Sequence, residues 1–260
     1  MRLRAEHCFF KVAQHQIVND LSMNLSGGEI VSLLGANGAG KTSLLRMMAG
    51  ELIPSSGEVF LGAPSSKEVS LSEIGLEAKA RQLAYLPQRS GLEFPFSVGE
   101  VIEMGRYPQL TGTAVDVSIK DSLIREFDLG PQSNQHYTSL SGGEKQRVQI
   151  ARVLAQLWDK PESAIYLFDE PTAPLDLAHQ IAFFTLLRKL ANAGAAILLV
   201  THDINLASRF SDRLLLLKKG NLLAEGSPSK VITAANIKSG FAVDVQIHKR
   251  ASDAVVQISF

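Results

Sequence analysis

A few short stretches of this chain carry residue types that could handle a phosphate. Gly35-Ala-Asn-Gly-Ala-Gly-Lys-Thr42, continued by Ser43, is a glycine loop ending in a lysine and a hydroxyl. Gly35, Gly38 and Gly40 let successive N–H groups, with those of Ala36, Asn37, Ala39 and Ser43, converge on phosphate oxygens. Lys41 is placed to reach the β- and γ-phosphates of a nucleotide such as ATP, and the Thr42 hydroxyl to ligate Mg²⁺. Asp169-Glu170 puts two acids at the end of an apolar run, which is costly unless a cation or a reaction uses them. Asp169 suits the Mg²⁺, and Glu170 suits the general base that activates an attacking water. His202 follows another apolar run, where it could sense a γ-phosphate. Leu140-Ser-Gly-Gly-Glu-Lys-Gln146 is different in kind. Ser141 and Glu144 form a capping box, and Gly142 and Gly143 leave the first helical amides bare. That surface also suits phosphate oxygens, yet the chain already owns a complete phosphate loop elsewhere.

The elements that must hold these residues alternate between strand and helix. Glu29-Ile-Val-Ser-Leu-Leu34 reads as a buried strand, followed by the glycine loop and a helix through Leu44, Leu45 and Met48 to a Gly50 stop. Before it, residues 1 to about 34 read as short strands and turns. Leu83-Ala-Tyr-Leu86 is a second strand that ends in Pro87-Gln88. Gln88 orients a water, touches a metal ligand or is an ordinary polar loop residue; the residues leave these open. From Arg89 to about Thr138 the spacing turns helical, through Val98, Val101, Ile102 and Met104, then Ile119, Leu123, Ile124 and Phe127. This predicts a small helical subdomain set into an α/β core, with Arg106-Tyr107-Pro108 either surface loop or contact site. Val148, Ala151, Leu154 and Leu157 continue the helix that Ser141 caps. Ala164–Phe168 and Ala195–Val200 read as buried strands, flanking a helix through Phe183, Phe184, Leu187 and Leu190. Strands at Leu214–Leu217 and Leu222–Ala224, a short helix opened by Ser227-Pro-Ser, and a β-hairpin from Val243 to the end complete the reading.

Composition narrows the classes. Lysine plus arginine and aspartate plus glutamate number 26 each in 260 residues, so no overall field points to nucleic acid. Cys8 is the one cysteine, which excludes an internal disulfide framework. No apolar run approaches a bilayer span, and Met1–His7 offers no secretory core, so a soluble, cytoplasmic chain is expected.

Taken in order, Gly35–Thr42, Gln88, Leu140–Gln146, Ile165–Glu170, Pro174–Asp176 and His202 resemble the motif series of an ABC-type ATP-binding cassette over nearly the whole chain. In that family they correspond to the Walker A loop, Q-loop, signature, Walker B, D-loop and H-loop. The resemblance implies a P-loop NTPase of the α/β class with a RecA-like core, an antiparallel β-subdomain and an inserted helical subdomain. Residues 1–260 would be a single ATP-binding domain, with the helical part at about 89–155 and a C-terminal extension at about 227–260. A finer likeness, carried by Asn19–Leu25, Met104-Gly-Arg-Tyr-Pro108, Ala151–Leu157 and Asp176-Leu-Ala-His-Gln180, is to the ATPase subunits of bacterial importers of iron chelates, vitamin B12 or haem, and most to those of haem.

The resemblance further implies a head-to-tail homodimer, in which Ser141, Gly142 and Gly143 of one copy close on ATP and Mg²⁺ held by the other. It implies two transmembrane permease subunits, a periplasmic substrate-binding protein on the far side, no nucleic acid, and a place on the cytoplasmic face of the bacterial inner membrane. Non-transport members of the family act in DNA repair, with a long coiled-coil insertion, or in translation, with two cassettes per chain; neither feature is present. Two positions depart from the pattern. Val12 stands where an aromatic residue commonly stacks on adenine, with Phe9 and Phe10 just upstream. Ala173-Pro174 replaces the serine that usually opens the D-loop.

Overall fold

The apolar runs that precede the candidate residues are neighbouring strands of one sheet. The computed structural model describes residues 1–62, 68–249 and 256–259. In chain order, β1 (Arg2–Val12), β2 (His15–Ser26) and β3 (Ile30–Leu34) lead through the glycine loop into α1 (Lys41–Met48). Next come β4 (Ser56–Gly62), β5 (Val69–Ser70), α2 (Leu76–Ala80) and β6 (Leu83–Leu86). The helical part is α3 (Val98–Met104), α4 (Thr113–Glu126) and α5 (Gly142–Ala155), followed by β7 (Ile165–Asp169), α6 (Leu177–Asn192), β8 (Ala196–Val200) and α7 (Ile204–Phe210). The chain continues through β9 (Arg213–Lys218), β10 (Asn221–Gly226), α8 (Pro228–Val231), α9 (Ala234–Phe241), β11 (Gln246–Lys249) and β12 (Val256–Ser259).

The larger sheet has the order β10-β9-β3-β8-β7-β6, parallel except for β10. A ligand binds such a sheet at the carboxyl ends of its strands. The glycine loop, His202, Asp169-Glu170 and Gln88 follow β3, β8, β7 and β6, which are consecutive neighbours. Strand alternation sorts the side chains into two cores. Tyr166 and Phe168 join α5 and α6 on one face, where Phe168 meets Phe183 edge-on at 5.4 Å between ring centres. Ile165 and Leu167 join α1 and the antiparallel sheet β2-β1-β4-β5 on the other.

The first two strands are far longer than the short strands expected, at 11 and 12 residues. Register shifts along the β1–β2 ladder bend the ribbon, so its hydrophobic pattern does not alternate cleanly along its length. Helices α3, α4 and α5 pack on one another, and Arg106 pins them. Its guanidinium is 1% exposed and bonds Asp116 (2.9 Å), Asp159 (2.8 Å) and the Ala155 carbonyl oxygen (2.7 Å). The open question over Arg106-Tyr107 therefore splits: Arg106 is structural, and Tyr107 is 72% exposed. Helices α7 and α9 carried no sequence expectation; at seven and eight residues they span only about two turns, too few to show a clear helical period. The expected closing hairpin is β11 paired with β12, while residues 250–255 and 260 lie outside the described residues.

Candidate nucleotide-binding site

All five residues of β3 are buried, and the chain leaves it for α1 through a loop that tolerates no side chain at its first and last glycines. Gly35 has φ 146°, and a Cβ there would lie 2.4 Å from the Leu217 carbonyl oxygen. Gly40 has φ 100°, and a Cβ would meet the Ile17 carbonyl oxygen at 2.7 Å. Both positions need glycine for conformation and for space. Gly40 is also the N-cap of α1, which has no side-chain cap and no acid in its first turn. The first amides and positive end of α1 are thus left for an anion.

Lys41 is 6% exposed, and its Nζ folds back to donate to the carbonyl oxygens of Gly35 (2.8 Å) and Ala36 (3.1 Å). Burial lowers its pKa below the usual lysine value, against the raising pull of Glu170 and Asp169. Asp169 continues the alternation that sends Ile165 and Leu167 toward α1, so its carboxylate meets that helix. Thr42 Oγ1 donates to Asp169 Oδ1 at 3.3 Å, while Oδ2 is buried with no hydrogen-bond partner among the described residues. Burial pushes this carboxyl up, the Thr42 hydrogen bond opposes it, and the charge of Glu170 adds to the rise. An orphaned buried oxygen costs roughly 1–3 kcal/mol. A hydroxyl beside such an oxygen fits a hard divalent cation, which takes oxygen ligands. Among the described residues no three His, Cys, Asp or Glu side chains could hold a metal by themselves. A cation here would therefore share its coordination with substrate and water.

Glu170 turns out of β7 with φ 50°. That left-handed conformation costs a non-glycine residue about 1–3 kcal/mol and is retained where surrounding structure enforces it. Here its amide donates to the Val200 carbonyl oxygen at 3.2 Å. Oε2 accepts from Gln88 Nε2 at 2.9 Å, and Oε1 lies 2.7 Å from His202 Nε2. With the carboxylate ionised, the imidazole hydrogen of that pair sits on Nε2. The structure thus joins Gln88, Glu170 and His202, which arrive from three strands.

The start of α5 stands apart. Ser141 N and Oγ both donate to Glu144 Oε2, at 2.8 and 2.6 Å, and Glu144 N returns a bond to Ser141 Oγ at 3.4 Å. Those hydrogen bonds hold the Glu144 carboxyl below its usual pKa. A Cβ on Gly142 would meet nothing within 4 Å. Gln146 Nε2 donates to the Pro171 carbonyl oxygen at 2.7 Å, linking this helix to the segment after Glu170.

The sequence profile described as ABC transporter matches residues 18–173, more than half of the chain. The chain belongs to the ABC transporter family. Among relatives of this ABC transporter chain, the hemin import ATP-binding protein HmuV of Pseudomonas putida is 42% identical over 246 residues, covering 94% of each chain. That of Escherichia coli O157:H7 is 39% identical over 249 residues, covering 95% of this chain and 94% of its own. An inward-facing metal-chelate type ABC transporter superposes with a TM-score of 0.77 at 26% identity, over 99% of this chain and 96% of that one. A dimeric post-hydrolysis ATP-binding cassette bound to ADP and Pi superposes at 0.76 with 25% identity, over 87% and 98%.

Within this ABC cassette the candidate residues divide by position. Asn37–Ser43, with Ile17, Gln88, Glu170 and His202, line a cavity of about 430 Å³. Gly35 and Ala36 lie behind it and anchor Lys41, and Asp169 sits beneath it, 1% exposed. Ser141, Gly142 and Gly143 do not line it. Ile17 escaped the sequence reading because nothing in its own stretch of β2 marks it; only the sheet brings it to the loop. Val12, at the position where an aromatic residue commonly stacks on adenine, is 56% exposed, and Phe10 just upstream packs on the core shared with the antiparallel sheet. The described residues lining the cavity include no aromatic side chain.

Proposed function

We propose that this chain is the ATP-hydrolysing subunit of an importer of haem (hemin), working through a separate membrane permease. One observation carries the cargo: 42% identity across 94% of both chains with a protein named for hemin import. The reaction is supported by the site itself. The amides of Gly35, Ala36, Asn37, Gly38, Ala39, Gly40, Lys41, Thr42 and Ser43 and the Lys41 ammonium would hold the ATP phosphates. Thr42, Asp169 and Gln88 would hold Mg²⁺, which when bound supplies positive charge against the β- and γ-phosphate oxygens.

Glu170 would act as general base. Its oxygens accept from Gln88 and His202, one each, and each keeps a lone pair that could take a proton from a water. Gln88 and His202 would together keep the carboxylate oriented, with His202 on the γ-phosphate side.

The exposed start of α5 supports a two-copy site. Gly142 costs helix stability, and this chain's own packing gives no reason for it. In our reading Ser141, Gly142 and Gly143 close on the ATP of a second copy, and the dimeric cassette bound to ADP and Pi supports that arrangement. The full assembly would add two transmembrane permease subunits and a periplasmic substrate-binding protein, with no nucleic acid. Among the described residues no helix is long and apolar enough to cross a membrane. Such a subunit would sit on the cytoplasmic face of the bacterial inner membrane, held by its permease. A ferric siderophore or vitamin B12 is the second reading of the cargo, favoured by the likeness to a metal-chelate type transporter.

The test is transport by the ATPase co-purified with its permease and reconstituted in vesicles. ATP-dependent uptake of haem, above that of a ferric siderophore or cobalamin, is the expected result. Uptake of cobalamin without haem would overturn the cargo and leave the ATPase intact.

A further inference from the structure

Strand β12 has two edges, and among the described residues only one is served by a strand. Toward β11 it pairs in antiparallel register, Ile258 opposite Ile247 and Gln257 opposite His248. On its other edge the backbone groups are taken by side chains of α7. Asn205 Oδ1 accepts from the Ile258 amide at 2.9 Å, and Asn205 Nδ2 donates to the Ile258 carbonyl oxygen at 3.3 Å. One turn along, Ser208 Oγ accepts from the Val256 amide at 3.0 Å, a buried bond. Asn205 and Ser208 are three residues apart, the spacing that puts two side chains on one helix face. Together they do for β12 what a third strand would do, closing an edge that would otherwise be open.

The same strand is held from beneath. Val256 and Ile258 are 2% and 8% exposed and join a small core with Leu34, Ala207, Leu214, Leu216, Val231 and Ile237. Two members of that core adjoin the candidate site. Leu34 is the last residue of β3, immediately before Gly35, and Ala207 lies on α7, whose N-cap Asp203 follows His202. Asp203 accepts from the Leu206 amide at 2.8 Å, and its own amide donates to Thr201 Oγ1 at 3.1 Å. From the end of β8 to the middle of α7, the path that carries His202 is thus braced on both sides of that residue. It terminates on β12.

From this we infer that Asn205 is a positioning residue for hydrolysis: by clasping Ile258 it fixes α7 and so holds His202 at hydrogen-bonding distance from Glu170. The inference rests on the ATPase reading above. His202 is itself partly exposed, with 46% of its side chain open, and its one side-chain hydrogen bond among the described residues is to Glu170. Its placement therefore depends on the backbone it is mounted on, and the backbone depends on what α7 is fastened to. An Asn at a partly exposed helix position satisfying both the amide and the carbonyl of one distant residue is a specific arrangement. A leucine or alanine there would leave the Ile258 amide and carbonyl to water.

The test is a double-mutant cycle on ATP hydrolysis by the full chain. Asn205→Ala is expected to lower kcat about three- to tenfold with KM for ATP unchanged, since the cavity lining is untouched. In a His202→Gln background, assayed at high protein concentration so that residual turnover is read, Asn205→Ala should have no further effect. Equal losses in both backgrounds, or a KM that rises in step with the fall in kcat, would overturn the inference. Ser208→Ala removes the neighbouring clasp and Ser208→Thr keeps its hydroxyl; kcat should fall only for alanine. Thermal unfolding of each variant separates a folding defect, because a kcat loss confined to variants that melt early argues for stability alone and against positioning. Failure of the ATPase reading would look different, as the unsubstituted chain itself would then show no ATP hydrolysis.

Discussion

Glycines stand at the start of both α1 and α5, and the two starts are finished in opposite ways. Helix α1 is entered through its N-cap Gly40, in a left-handed conformation, with no side-chain cap and no acid in its first turn. Helix α5 starts after Ser141 with a complete capping box, and Glu144 accepts from both the amide and the hydroxyl of Ser141. The glycines differ as well. A side chain at Gly35 or Gly40 would collide with the carbonyl oxygens of Leu217 or Ile17, whereas one at Gly142 would meet nothing within 4 Å. The first start is therefore incomplete without an anion but fully determined by its own chain. The second is complete in itself, yet carries a glycine that its own chain does not need. The difference places one nucleotide contact inside the molecule and, in the proposed dimer, the other between molecules.

The comparison can be broken at either end. The largest effect is expected at the chemistry shared by both. Glu170→Gln should cut hydrolysis by about 10²- to 10⁴-fold, the range of a general base, while leaving ATP binding intact and trapping an ATP-bound dimer seen by gel filtration. Next, Ser141→Arg should abolish turnover without weakening ATP binding to the single chain, measured with a fluorescent nucleotide. Loss of binding in that variant would mean the α5 start belongs to the intramolecular site.

The glycines separate the two starts more finely. Gly40→Ala should destabilise the fold by about 1–3 kcal/mol, the cost of a left-handed non-glycine residue with a clash added. Gly142→Ala should leave the fold unchanged or stabilise it by up to about 1 kcal/mol, through helix propensity. Chemical denaturation reads both. The sharp outcome is a Gly142→Ala chain that is as stable as the unsubstituted one and still hydrolyses ATP poorly.

The smallest effect concerns Asp169, whose raised carboxyl pKa makes the folded state hold more protons than the unfolded one. Between the ordinary carboxylate value near pH 4 and the raised value, the nucleotide-free protein should lose stability as pH rises, because its unfolded form binds fewer protons. Asp169→Asn should flatten that dependence and stabilise the nucleotide-free fold by about 1 kcal/mol. It should also remove any additional stabilisation that Mg²⁺ gives over ATP alone, measured by thermal shift.

Local chemistry made most of the site legible. A loop that needs glycine, a lysine after it, acids ending an apolar run and a serine three residues before a glutamate are each written in adjacent letters. The roles proposed for them follow from side-chain types that have few other reasons to stand there. Gln88 was left open because a glutamine at a strand end is ambiguous until its neighbour is known, and that neighbour, Glu170, is 82 residues away. Ile17 and Asn205 carried no signal for the same reason. Arg106 read as loop or contact, and only the closure of α4 and the end of α5 around it revealed a buried guanidinium.

By itself, the order of residues determined which segments are strands and helices around the site, where the phosphate loop lies and that α5 is capped. Those outcomes depend on periodicity, backbone conformation and hydrogen bonds within a few residues. Tertiary structure decided which strand ends are neighbours, that Asp169 meets Thr42 while Glu170 meets Gln88 and His202, and that the last strand fastens to α7. Those contacts are set by sheet order and packing between distant segments, which no local pattern records.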